Sequence, residues 1–268
     1  MRNTFWMTRT DQARCRAAAG WADLGELTAC WLEGSLASRP GHQPNTGPDP
    51  ETLPHVSELA AVNRAGFLTI SSQPGAALEV GTDGASFLQR AAVEGLVEDP
   101  RVLRRLTTLA HSAGLLTAVH QPVGAGTRHD RRTRRRAQQG IEATLRNGRN
   151  QTDFGALLGR RTLAVIWPGC SRAAHAALRR ATHVTLVDPE WAPNETLWTV
   201  LAEAAGLTSD LCRYCGCSEH SPCAGGCCWV PDPLGPRCSA CPPGAAAARQ
   251  TADPATWAGH TPEQRESR

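Results

Sequence analysis

The chain has 268 residues, 41% hydrophobic and 20% charged, enough for one sizeable core plus an appendage and too apolar for a wholly disordered or fibrous protein. All 28 residues counted as Lys+Arg are arginine, which excludes a Schiff-base lysine, a pyridoxal-phosphate attachment, a Walker A loop and a kinase-type strand lysine. The net charge is only +3, but eight arginines fall between Arg128 and Arg149 against Asp130 and Glu142, a local +6, so the basic character is one patch.

In chain order, residues 21–36 read as an amphipathic helix, with Leu24, Leu27, Trp31 and Leu32 recurring on one side. Prolines 40, 44, 48, 50 and 54 mark a loop. A helix over about 51–64 ends at Gly66, and residues 67–72 form a short apolar strand before the Gln73-Pro74-Gly75 turn. Residues 87–97 read as helical. Asp99-Pro100 opens a further helix carrying Val102, Leu106, Leu109 and Ala113, with Gly114 at the C-terminal cap position. Residues 115–120, 163–167 and 183–188 follow as strands. A helix from Ser171 ends on Arg179 and Arg180, where the helix dipole favours cations. A last helix covers about 194–205.

Strands that are nearly all apolar, alternating with helices, predict an α/β fold with a mostly parallel sheet flanked by helices and followed by a small Cys-rich zinc module. The expected organisation is an N-terminal segment (1–14), an α/β domain (15–207) with an Arg-rich insertion or loop at about 121–159, a Cys-rich module (208–244) and a disordered tail (245–268). No apolar run approaches the roughly 18 residues that span a bilayer. No continuous apolar centre follows the early arginines. The expected setting is therefore a reducing cytoplasm, away from any membrane.

Eight of the eleven cysteines lie between positions 212 and 241. Two Cys-x2-Cys pairs, Cys212/Cys215 and Cys238/Cys241, bracket the segment, and each knuckle presents two thiolates to one tetrahedral ion. Cys217, Cys223 and Cys227 are candidate ligands of a second ion, with Cys228 and His220 nearby. The segment has little apolar content beyond Trp229 and Val230, so metal would have to supply its folding free energy. The spacing rule points to Zn2+, and an iron–sulfur cluster is the rival, since thiolates alone do not distinguish them. Cys15, Cys30 and Cys170 read as buried small apolar groups.

Two resemblances follow from these strings. Cys212-x2-Cys215-Gly216-Cys217, then Cys223, Gly226-Cys227 with Trp229-Val230, and Cys238-x2-Cys241 resemble a cysteine module that recurs at the ends of phage and bacterial proteins. In that pattern the position of Cys228 is usually another residue, which implies that Cys228 is not a ligand. The stretches Trp31-Leu32-Glu33-Gly34, Asn63 to Phe67, Ser72 to Gly75, Gln89 to Gly95, and Asp188 to Trp191 with Asn194 and Leu197-Trp198 resemble an uncharacterised actinobacterial family of unknown function. That resemblance implies no reaction.

Two functional readings compete. In the first, a zinc-binding accessory or binding protein contacts DNA or RNA, or a protein partner, and Arg128, Arg131, Arg132, Arg134, Arg135 and Arg136 grip phosphate. No aromatic residue interleaves that run, so base stacking is not indicated. In the alternative, an enzyme of unknown reaction uses polar groups at the C-terminal ends of parallel strands, with Gln73, His120 and Asp188 as the pocket residues. No catalytic motif accompanies them, and an enzymatic activity is left open.

Overall fold

The computed structural model describes residues 8–39, 46–120, 140–156, 166–167, 169–207, 212, 215, 217, 222–230 and 237–241. In chain order these form α1 (Arg9–Ala17), α2 (Trp21–Leu32), a 3-10 helix (Pro50–His55), α3 (Val56–Arg64), β1 (Phe67–Gln73), β2 (Ala76–Val80), β3 (Ser86–Gln89), β4 (Ala92–Val97), α4 (Pro100–Ser112), β5 (Leu116–His120), β6 (Ile141–Arg146), β7 (Arg149–Phe154), α5 (Arg172–Arg180), β8 (Thr182–Val187), α6 (Thr196–Ala205), β9 (Trp229–Val230) and β10 (Arg237–Cys238).

The fold is a mixed α/β arrangement in which every paired strand is antiparallel, and the parallel sheet expected from the sequence is wrong. One sheet has the order β1-β4-β8-β5, a second has β2-β3-β6-β7, and β9 and β10 pair by themselves. The physical reason for the error lies in β8, five of whose six residues are buried. A continuous apolar run is the mark of a parallel strand between two helical layers. Both faces are indeed covered, but by different things. Val93, Val97, Val184 and Leu186 share one apolar cluster with Leu24 and Trp31 of α2, Leu59 and Val62 of α3, Leu106 of α4, Leu178 of α5 and Leu201 of α6. On the opposite face, Ala92 and Val187 pack against Ala143 and Phe154 of the β6–β7 hairpin.

The expected helix over 87–97 is instead β3 and β4. A short apolar run cannot fix its own period, and Gly95 decides the matter: a Cβ there would lie 2.6 Å from the Leu68 carbonyl oxygen and 2.7 Å from the Phe67 ring. The glycine is where two strands meet closely. Together β1–β2 and β3–β4 make one long hairpin, since Gln73 faces Ala92 in the first sheet and Ala76 faces Gln89 in the second. Of the expected strand at 163–167, only Ile166 and Trp167 are described, and Ile166 is helical. The stretch 121–159, read as an insertion or loop, contains β6 and β7, joined by Asn147 (φ 50°) and Gly148 (φ 69°). That pair of left-handed residues is the two-residue hairpin turn whose twist matches the strands.

The helix ends follow local chemistry. Asp99 accepts from the Arg101 amide at 2.8 Å ahead of Pro100, and the Gly114 that ends the segment sits at φ 76°. Ser171 caps α5 by accepting from the Ala174 amide at 3.1 Å. Helix α1, not foreseen, is capped by Thr8 and buries Cys15. Among the described residues no helix is long and apolar enough to cross a membrane.

Candidate metal centre

The cysteine segment builds its site on the β9–β10 pair, where Trp229 faces Cys238 and Val230 faces Arg237. Cys228 and Ser239 flank this pair and exchange two hydrogen bonds, Ser239 N–H to the Cys228 carbonyl at 2.8 Å and Cys228 N–H to the Ser239 hydroxyl at 3.1 Å. This fixes Cys238 in the middle of the segment, 1% exposed. Gly225 and Gly226 take φ of 90° and 81°, values only glycine adopts without cost, and turn the chain between Cys223 and Cys227.

The sulfurs converge. Sγ–Sγ separations are 3.8 Å for Cys212–Cys241, 3.6 Å for Cys215–Cys223, 3.6 Å for Cys215–Cys238, 3.8 Å for Cys223–Cys238 and 3.5 Å for Cys217–Cys227. Four thiolates held tetrahedrally at a Zn–S bond of about 2.3 Å would lie about 3.8 Å apart. A disulfide needs about 2.05 Å, and none of the eleven cysteines is in one. Cys212, Cys215, Cys217 and Cys238 bring their sulfurs within 4.8 Å of one another, as do Cys217, Cys223, Cys227 and Cys238. Backbone amides donate to two of the sulfurs, Cys238 N–H to Cys212 at 3.2 Å and Cys223 N–H to Cys227 at 3.3 Å, the polarity that stabilises a thiolate.

Burial, reinforced by hydrogen bonding to the Cys215 sulfur, raises the thiols of Cys217 and Cys241 far above their ordinary value and that of Cys223 to about 12. Without a cation these groups hold their protons, so loading the cluster releases them. Arg105 of α4 lies close enough to Cys212 and Cys215 to feel their charge and donates to the Glu203 carbonyl at 2.5 Å. Arg237 donates to the Cys241 carbonyl at 2.6 Å.

The structure therefore gathers all seven cysteines singled out as ligands and leaves Cys228 exposed, outside the cluster. His220 and the arginines at 128, 131, 132, 134, 135 and 136 lie outside the described residues. Cys15 and Cys30 are buried, as expected, and burial pushes Cys15 up to about 12 and the half-buried Cys170 up to about 11.

Gln73, His120 and Asp188 do not form a pocket. In an antiparallel sheet the C-terminal ends of neighbouring strands lie at opposite edges. His120 pairs with His183, whereas Gln73 faces Ala92 and Asp188 directly follows Val187, which also faces Ala92. Four residues of strand, about 13 Å, separate His183 from Val187. Each of the three side chains has a local occupation. Gln73 donates its amide to the carbonyls of Arg90 at 2.9 Å and Ala143 at 3.1 Å, tying one sheet to the other. Asp188 accepts from the Glu190 amide at 2.9 Å and caps the turn through Pro189. His120 Nε2 lies 2.7 Å from the Gly155 carbonyl.

What the sequence did not reveal is the polar lining of the first sheet beneath Gly155. The Glu94 carboxylate accepts from the Gly155 amide at 3.1 Å and lies 3.4 Å from Nε2 of the buried His183, whose ring stands 5.8 Å from that of His120. Only strand register could have shown it, because these residues come from β4, β8 and β5.

A family model described as a domain of unknown function (DUF6919) matches residues 10–208, stopping short of Cys212. No curated protein matches the chain.

Proposed function

The chain belongs to the DUF6919 family, so its function has to be read from its own residues, and we propose that it is a binding or accessory protein whose C-terminal module, residues 208–244, is folded around zinc. The observation that carries this reading is the set of sulfur separations between 3.5 and 3.8 Å among buried and half-buried cysteines with no disulfide. The resemblance of the cysteine string to the recurring phage and bacterial module supports it, and so does the scarcity of apolar residues that could fold the segment unaided. A reducing compartment such as the cytoplasm is the setting in which seven thiols stay available. Metal analysis of the purified chain is the test. A colourless protein with at least one zinc per chain is expected; less than that, or iron with visible thiolate absorption, would overturn it.

A contact with DNA or RNA through the Arg-rich stretch is the second half of the proposal. Its support is the local charge of the 128–149 segment. Arg149, one of the eight arginines of that segment, is exposed at the start of β7. Retention on immobilised DNA and RNA should fall steeply with salt and vanish when the arginines at 131, 132, 134, 135 and 136 are replaced by alanine. A wild-type chain that fails to bind at low salt defeats this half without touching the zinc.

A further inference from the structure

We infer that the cysteine module, if it binds metal as read above, holds two divalent ions in one cluster bridged by the thiolate of Cys238. In this arrangement Cys212, Cys215 and Cys241 complete the first ion and Cys217, Cys223 and Cys227 the second.

The ligand count comes first. Two independent four-thiolate sites need eight sulfurs, and the eighth cysteine, Cys228, is exposed with its backbone locked to Ser239. Two tetrahedra that share one corner need seven, the number the structure gathers. A single four-thiolate site would instead leave three further thiols, Cys217 buried and Cys223 and Cys227 half-buried, crowded against it.

Geometry then selects the shared corner. The two sets of sulfurs that lie within 4.8 Å of one another both contain Cys238. Its Sγ lies 3.6 Å from that of Cys215 in the first group and 3.8 Å from that of Cys223 in the second. Cys217 belongs to both sets as well, but its shortest sulfur contact, 3.5 Å, is to Cys227 on its own side. Cys238 is also the residue tied to Cys212 through its own amide, 3.2 Å from that sulfur. Seven thiolates around two dications leave a net negative cluster, and Arg105 stands beside Cys212 and Cys215 while Arg237 stands beside Cys241.

The test uses the full chain loaded with 113Cd. Metal analysis and native mass spectrometry should give two ions per chain, and the 113Cd spectrum two resonances, each split by the other through the shared sulfur. One ion per chain overturns this inference and leaves the metal reading standing, whereas no ion defeats both. Two ions with unsplit resonances overturn the bridge. In the variants, Cys228→Ser should keep both ions and the splitting. Cys238→Ser should lose the splitting and, if it still folds, bind fewer than two ions; a Cys238→Ser chain with two coupled resonances would place the bridge elsewhere and refute the assignment.

Discussion

Replacing Gln73 by methionine keeps the length and apolar volume of the side chain but removes its amide. Gln73 is 8% exposed, and its Nε2 serves the carbonyl of Arg90 between β3 and β4 and that of Ala143 on β6. The Ala143 carbonyl keeps the Arg90 amide at 2.9 Å, so the substitution strands chiefly the Arg90 carbonyl. A half-buried carbonyl without a partner costs about 1–2 kcal/mol, the lower part of the range for a buried one, and the second, shared bond adds roughly 0.5–1.5 kcal/mol. The expected loss is therefore about 1.5–3.5 kcal/mol. Gln73→Ala should lose more, because a cavity joins the missing bonds. Urea denaturation followed by far-UV circular dichroism at pH 7 would measure both, with an unchanged m-value as the sign that only the native state was affected. If Gln73→Met unfolds within about 0.5 kcal/mol of wild type, the clamp between the two sheets is not formed as described, since surface substitutions already scatter by that much.

Other outcomes follow from the same packing. Gly95→Val places two methyls into the Leu68 backbone and the Phe67 ring and should cost more than about 3 kcal/mol or abolish folding, because overpacking beside a rigid carbonyl has no side chain to yield; an expressed, fully stable variant would contradict the β1–β4 pairing. Asn147→Ala loses the acceptor for the Ser86 amide at 2.8 Å and puts a Cβ residue without a local bond at φ 50°, for an expected loss of about 1–2 kcal/mol in the same assay. His55 stacks on Trp198 with centroids 3.7 Å apart, and burial lowers its pKa against the opposing pull of Glu195 and Glu58. The unfolded chain then binds a proton that the folded one resists, so this contribution is intact above the unfolded value of about 6.5 and is lost as pH falls through that value toward the lower folded one. His55→Phe, which keeps the stack, should show a smaller drop in Tm between pH 7.5 and pH 5 than wild type; an equal drop would remove His55 as the cause.

The features readable in the sequence were those encoded within a few residues. Asp99-Pro100 with Gly114, and Ser171 with Arg179 and Arg180, marked two helices because capping and dipole chemistry act within one turn. The clustering of the cysteines was readable because Cys-x2-Cys spacing is itself a geometric statement. Strand direction was not, since nothing in the sequence of Thr182–Val187 distinguishes a strand covered by helices on both faces from one covered by helices on one face and a hairpin on the other. The supposed pocket of Gln73, His120 and Asp188 inherited that error. Asn147-Gly148 is a different kind of miss. The strongest short-range hairpin signal stood between Leu145 and the polar residues of β7, and the Arg-rich run before it drew the whole stretch into a loop.

The long bent hairpin ties together events that two stacked sheets would otherwise keep separate. Because one pair of strands runs from β1–β4 into β2–β3, neither sheet can open fully without fraying the outer ladder that continues into the other. The slowest amide protons of Val93 and Leu88, in different sheets, should then exchange through the same opening with the same free energy. Such coupling makes the two sheets one cooperative unit and shields the edge of β3 from exposure during partial unfolding, when an unpaired strand would recruit another chain.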